Sequence, residues 1–194
     1  MTQAKRRFRT FEEYLDYNDG TDTRNELVHG ELIEMAPENP LNVVIASFLF
    51  AAFLRMGIPS YRLAIGHQIA TRSAQVTARQ PDLIVHTEES ANAILAGGNI
   101  LLPEMPSPLL VVEVVSSSDK QSRDRDYVEK RKEYAERGIS EYWLIDPERS
   151  LITVLQLEND RYREVGEFKD TDTIVSPTFL NLQLTAEQIL RAGR

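Results

Sequence analysis

Between Leu109 and Glu148 the chain reads LLVVEVVSSSDKQSRDRDYVEKRKEYAERGISEYWLIDPE, and this stretch limits the possible folds more than any other. Its first seven residues carry six apolar, β-prone side chains around one carboxylate, Glu113. Such a run predicts a strand covered on both faces, in the middle of a mixed or parallel sheet. Ser116 to Asp119 are turn and N-cap types, and a charged helix of about five turns is expected to run to Arg137 and stop at Gly138. EYWLID is a second strand signal, closed by Asp146-Pro147. Strand, helix and strand in that order make a right-handed βαβ crossover the default.

A carboxylate in the middle of that first strand is costly unless a cation, a proton or a full set of hydrogen bonds goes with it. The plainer alternative is a strand-end Glu that reaches solvent through the Ser116-Ser117-Ser118 turn. On a helical wheel Tyr127, Val128, Tyr134 and Ala135 define the apolar stripe of the helix, with Arg131 in its middle and Lys130 and Lys132 beside it. A basic group on this face could approach the C-terminal end of the Glu113 strand, where ligands gather in open α/β sheets. The wheel leaves open which of the three does so.

At 194 residues the chain suits one domain, 1–194, with residues 1–9 as a flexible basic arm. Zero cysteines exclude disulfides and thiolate metal sites and fit a cytoplasmic protein. No apolar stretch follows the N-terminal charges, so no signal peptide is expected. The longest apolar run, VVIASFLFAAFL, is twelve residues, too short for a bilayer and expected as a buried core helix over 42–56. The net charge of −8 argues against coating nucleic acid by bulk electrostatics, but it leaves room for a cleft that is locally basic or holds metal ions.

Elsewhere, Thr10 to Glu13 is a capping box that starts a short helix. ELVHGELIEMAP reads as a strand or hairpin bent at Gly30, with its acids mostly on the wet face. YRLAIGHQIATR and QPDLIVH read as strands, the second with Pro81 at its start. Residues 88–108 read as a helical turn followed by a Gly/Pro-rich loop or flap. SLITVLQLE and DRYREVGEF read as a hairpin, and Thr185 caps a last short helix.

Asp82 and Glu113 stand at strand positions where apolar residues would be cheaper. If both sit at the C-terminal ends of neighbouring strands, two charges ~4 Å apart repel by roughly 4 kcal/mol at an effective dielectric near 20. Either one keeps a proton or a cation bridges them. Mg²⁺ suits the second case, since it is held by one or two carboxylates and keeps several waters. It would activate water and stabilise an oxyanion leaving group, with a lysine beside it offsetting charge on a phosphate. Taken singly, Asp82 is equally a turn or cap residue, and Lys130 equally an i,i+4 partner of Asp126 or a snorkelling edge residue.

Pro81-Asp82, Glu113 within LLVVEVVS, the helix pattern Asp126, Lys130, Tyr134, Gly138 and the EYWLIDP strand together resemble the PD-(D/E)XK nuclease superfamily. More narrowly, nearly the whole chain resembles a large bacterial family of restriction-endonuclease-like proteins. The resemblance implies an α/β fold with a restriction-endonuclease-like mixed central β-sheet flanked by helices. It implies a Mg²⁺-dependent endonuclease acting on DNA, with Mn²⁺ as a possible substitute. By the same resemblance Asp82 and Glu113 are metal ligands, the Val114 carbonyl is a further ligand, and Glu26 is an auxiliary acid. The superfamily's usual lysine slot, two residues past the Glu, holds Val115 here, and the resemblance moves the role to Lys130 on the following helix. A homodimer is expected, with the hairpin and the C-terminal helix as candidate surfaces.

Two rival readings remain: a catalytically inactive nuclease fold that binds nucleic acid or a protein, and a metal-dependent hydrolase of small phosphoesters. His29, His67 and His86 lack zinc-ligand spacing, the serine run is no nucleophile elbow, and no phosphate-binding glycine fingerprint occurs. Trp143, Tyr162 and Phe168 read most simply as packing residues.

Overall fold

The computed structural model describes residues 7–17, 20, 25–35, 39–71, 76–98, 100–115, 124–192 and 194. A short helix, α1 (Phe11–Leu15), starts where the Thr10 hydroxyl accepts the Glu13 amide at 3.2 Å. Phe8, just before it, is buried against Tyr14 and Tyr17, so the basic arm is anchored from Arg7 onward; Lys5 and Arg6 lie outside the described residues. β1 (Asn25–Val28) and β2 (Glu31–Glu34) form a hairpin turning at His29-Gly30. A Cβ at Gly30, which has φ +80°, would collide with the Phe8 carbonyl, so only glycine fits.

The apolar helix α2 (Pro40–Arg55) begins with proline in its first turn and Asn39 capping the Leu41 amide. The stretch expected as one strand over 61–72 is divided, and the strand expected over 80–86 is narrower, with a further short strand before it. Gly66 (φ +89°) separates β3 (Leu63–Ala64) from β4 (Gln68–Ala70), and Gln80-Pro81-Asp82 separates β5 (Ala78–Arg79) from β6 (Leu83–Val85). The reason for the division lies in the sheets. Instead of one central sheet there are two, and β3 and β6 join one while β4 and β5 join the other.

Residues 88–108 hold more structure than a turn and a flap. α3 (Glu88–Gly97) runs ten residues from a Thr87 cap, and β7 (Ile100–Leu101) pairs parallel with β4. The segment beyond is tied by Arg137, which donates to the carbonyls of Leu102 at 3.0 Å and Met105 at 2.8 Å. β8 (Leu110–Val114) is fully buried. After it, residues 116–123, where the N-cap was expected, lie outside the described residues. A π-helical turn (Arg125–Glu129) leads into α4 (Lys130–Arg137), which ends at Gly138 in the left-handed region. β9 (Glu141–Asp146) lies parallel to β8, as a βαβ unit requires. The hairpin β10 (Leu151–Glu158) and β11 (Arg161–Phe168) and the helix α5 (Ala186–Leu190), closed by a capping box, complete the fold.

The smaller sheet runs β2-β1-β5-β4-β7 and the larger β11-β10-β9-β8-β6-β3. The larger is covered on both faces. Val112, Val114, Trp143 and Ile145 pack with Ile45, Leu49 and Phe53 of α2. Val111, Val115, Tyr142 and Leu144 pack with Tyr134 and Ala135 of α4. Each such fully buried apolar side chain contributes roughly 1.5–3 kcal/mol. The pleat therefore fixes where Glu113 points: with Val111 and Val115, toward α4.

Candidate active site

Glu113 is 4% exposed and does not escape into solvent. The α4 helix supplies both of its partners. Lys130 Nζ lies 2.8 Å from Glu113 Oε2, and the Tyr134 hydroxyl donates to Glu113 Oε1 at 2.5 Å. The ammonium also meets Asp126 Oδ1 at 3.1 Å and Glu26 Oε1 at 3.7 Å. Asp126, Lys130 and Tyr134 recur every four residues, so one flank of the helix carries all three.

This flank corrects the expected stripe. Val128 is 63% exposed, while Asp126, Lys130, Glu133 and Arg137 are buried. Tyr134 and Ala135 face the core and Tyr127 packs against it as expected, and the ionic residues are buried beside them because each finds a counter-charge or a set of carbonyls. Of the three basic candidates, Lys130 is the one that reaches Glu113. Arg131 instead donates to the Tyr162 carbonyl at 3.0 Å, and Lys132 pairs on the surface with Glu136.

Asp82 stands just before β6, at its N-terminal rather than its expected C-terminal end, and still meets Glu113 because β6 runs antiparallel to β8. The register Leu83↔Val112 sets it opposite Glu113, and its Oδ2 accepts the Val114 N–H at 2.6 Å. The Val114 carbonyl accepts from Asn42 Nδ2 of α2 at 2.8 Å. Val115 is buried among Tyr134 and Ile139, so the usual lysine slot belongs to the core.

Glu26 was read among acids on the wet face, yet it is 2% exposed, while Glu34 is exposed. Its Oε2 takes Arg79 Nη1 at 3.1 Å, and its Oε1 takes the Gln80 amide at 3.4 Å. Arg79 in turn grips Glu133 with Nε at 2.7 Å and Nη2 at 2.9 Å. The structure thus brings Asp82, Glu113, Val114, Lys130 and Glu26 to one place. It adds Asp126, Tyr134, Asn42, Arg79 and Glu133. The four-residue spacing around Lys130 announced Asp126 and Tyr134; a two-residue strand gives no periodicity by which to find Arg79.

The electrostatics follow from burial. Burial pushes Glu113 up to about 8; Lys130 pulls against this, while Asp82, Asp126 and Glu26 add to it. Burial would depress Lys130, but Glu113, Glu26 and Asp126 overcome it and hold the ammonium above its ordinary value. Burial likewise works to raise Glu26, and Lys130, Arg79 and Arg125 outweigh it, leaving that carboxylate below its ordinary range. Glu26 is therefore firmly ionised, whereas Glu113 is poised to hold or release a proton.

The Uma2 family model, described as "Putative restriction endonuclease", matches residues 11–187. The chain belongs to the Uma2 family. Its fold is also that of the crystal structure of a "putative nuclease belonging to DUF820" from Anabaena variabilis, with a TM-score of 0.73 at 17% identity, covering 95% of this chain and 99% of that one. Comparison with curated proteins found no match. In this Uma2 chain the restriction-endonuclease-like α/β fold brings the cluster together from β1, β5, the residue before β6, β8, the π-helical turn and α4. No helix among the described residues is long and apolar enough to cross a membrane.

Proposed function

We propose that this chain is a Mg²⁺-dependent endonuclease that hydrolyses phosphodiester bonds in DNA, with Mn²⁺ able to substitute. The observation that carries the reading is the pair Asp82 and Glu113 on adjacent strands, with the Lys130 ammonium 2.8 Å from the second carboxylate. The donor set fits a small hard cation: two carboxylates and a backbone carbonyl, with waters completing the shell. Among the described residues no group of three or more His, Cys, Asp or Glu is set to hold a metal ion, so the protein ligands in this reading are the two carboxylates and the carbonyl alone. Asn42 Oδ1 is buried without a hydrogen-bond partner while its Nδ2 binds the Val114 carbonyl, leaving an acceptor for a metal-bound water.

Bound there by Asp82, Glu113 and the Val114 carbonyl, the ion would supply Lewis acidity and a water of lowered pKa. Tyr134 holds the Glu113 carboxyl in one orientation. Lys130 orients the attacking water and offsets charge building on the phosphate. The test is cleavage of supercoiled plasmid and single-stranded DNA with Mg²⁺ and with Mn²⁺, by wild type and Glu113→Ala. Metal-dependent cutting lost in the variant supports the reading. No cutting by either protein, or equal cutting by both, sinks it and favours a binding-only scaffold.

A second copy of the chain would give one site per DNA strand. The surface that supports this is α2 rather than the hairpin or α5: β11 turns mostly charged residues outward, and the buried residues of α5 face inward. Along α2, Val43, Val44 and Leu54 are 39–45% exposed, and no charge occurs before Arg55. A two-fold contact joins the same patch of both copies, so on a chain of net charge −8 an uncharged face is where copies meet without repulsion. Sedimentation should show a dimer that Val44→Glu dissociates; a monomeric wild type would exclude it.

A further inference from the structure

We infer that Arg79 is a positioning residue that fixes Lys130 through Glu26 and Glu133, and that Glu26 serves this arrangement rather than the metal. The inference rests on the reading above, in which Lys130 works beside the scissile phosphate.

Four residues form a ring that three ion pairs and the backbone of α4 close. Arg79, fully buried on β5, forks onto both oxygens of Glu133 at 2.7 and 2.9 Å and reaches Glu26 Oε2 at 3.1 Å. The other oxygen of Glu26 faces Lys130 Nζ at 3.7 Å. Lys130 and Glu133 stand three residues apart on α4, so they share a flank of the helix. Two members come from the smaller sheet and two from the helix, and their charges cancel. A planar guanidinium bonded in two directions resists rotation of the helix relative to β5, which a point charge does not. The ring therefore sets the root of the Lys130 side chain as well as one wall of its ammonium site.

Glu113, though both its oxygens are also engaged, stands beside Asp82 and the Val114 carbonyl, whereas Glu26 is held on the smaller sheet by a guanidinium. One Glu26 oxygen is taken by Arg79 and the other by the Gln80 amide and the ammonium. Asp82 and Glu113 lie on the larger sheet, outside this ring.

The experiment compares wild type, Arg79→Lys, Glu26→Gln and Glu133→Gln in single-turnover plasmid cleavage across a Mg²⁺ titration. Arg79→Lys keeps the buried charge and removes the fork. Should it fail to fold, Glu133→Gln weakens the same fork from the other side. The lysine ammonium resonances of each protein are followed in parallel by ¹H–¹⁵N NMR, with Lys130→Arg giving the assignment. The expected result is a rate at saturating Mg²⁺ lowered about 10- to 100-fold, with the Mg²⁺ midpoint unchanged within about twofold. The ordered Lys130 ammonium signal of the wild type should vanish in the variants. The proposal is overturned if Glu26→Gln raises the Mg²⁺ midpoint and recovers full rate at high metal, since that marks a metal ligand. It is overturned equally if Arg79→Lys keeps the wild-type rate and signal. A wild type that cuts nothing removes the nuclease reading alone: the ammonium signal still decides the ring, its loss in Arg79→Lys supporting it and its persistence refuting it.

Discussion

Glu113 on β8 and Lys130 on α4 face each other at 2.8 Å, with side chains only 5% and 4% exposed. A carboxyl and an ammonium so thoroughly removed from water contribute little net stability as a pair, yet either one left alone is strongly destabilising. The contact also joins the central strand to the crossover helix that follows it. Chemistry and fold therefore depend on the same two side chains.

Lys130→Met should show this dependence directly. It leaves Glu113, Asp126 and part of Glu26 without their shared counter-charge. The metal-free protein is expected to lose about 3–5 kcal/mol of unfolding free energy. Because a bound dication would replace the missing charge, Mg²⁺ should raise the Tm of Lys130→Met more than that of wild type. Thermal melts with and without Mg²⁺ check both statements; equal responses in the two proteins would rule out a shared cation site.

Glu113 makes metal binding sensitive to pH. With its carboxyl pushed up to about 8, an ion arriving at neutral pH displaces a proton. The Mg²⁺ midpoint should fall by up to about tenfold per pH unit as pH rises from 6.5 to 8, then level off. In the metal-free protein the sign is opposite. The unfolded chain releases this proton near 4.5 and the folded chain near 8, so this group's contribution is full below 4.5 and is lost as pH climbs through 8. Calorimetric titrations at several pH values test the first effect; a flat profile would mean that no proton is exchanged.

Much of this site was legible in the sequence for one reason: a carboxylate inside an apolar strand demands a partner, and the helix after it carries cations. Asp82 was legible as a strand-end acid beside Pro81, but not which end it occupies, because the pairing direction of a three-residue strand is set by long-range contacts. The burial of Glu133 and Arg137 and the exposure of Val128 were not legible, since the wheel took only apolar residues to face inward, and a π-helical turn departs from its constant angle. Arg79 sits in a two-residue strand whose pairing partners are distant in sequence, so nothing local separated it from a surface arginine. Glu26 looked like one of several hairpin acids until Arg79 was placed beside it. The division into two sheets was hidden for the same reason: pairing of two- and three-residue strands is decided by long-range contacts.

His86 should govern stability on the acid side. Its Nε2 lies 3.4 Å from His67 Nδ1, and its Nδ1 lies 3.1 Å from Ser90 Oγ. Burial, with His67 and Arg62 nearby, pulls it down to about 4. Between 6.5 and 4 the unfolded chain binds the proton first, so the contribution is full above 6.5 and lost as pH falls through 4. The loss is of the order of 2–3 kcal/mol. Urea unfolding at pH 7 and pH 5 should show a smaller difference for His86→Gln than for wild type; identical differences would leave His86 uninvolved.

Glu141 supplies the control carboxylate. It begins β9, is fully buried, and accepts from Trp143 Nε1 at 2.6 Å, the Thr178 amide at 2.9 Å and Ser176 Oγ at 3.1 Å. Every donor around it is neutral, so it is held by hydrogen bonds alone, and it ties the segment after β11 to the larger sheet. In register it lies beside Leu110, three residues before the Glu113↔Leu144 pair, about 10 Å along the strand. Glu141→Gln turns an amide NH₂ toward these donors and should lower unfolding free energy by about 2–4 kcal/mol. Where the protein is folded, its Mg²⁺ midpoint and cutting rate should match wild type. A shifted midpoint with unchanged stability would mean that buried acids anywhere in β8 and β9 influence the metal, and that the pairing of Asp82 with Glu113 is not what selects the site.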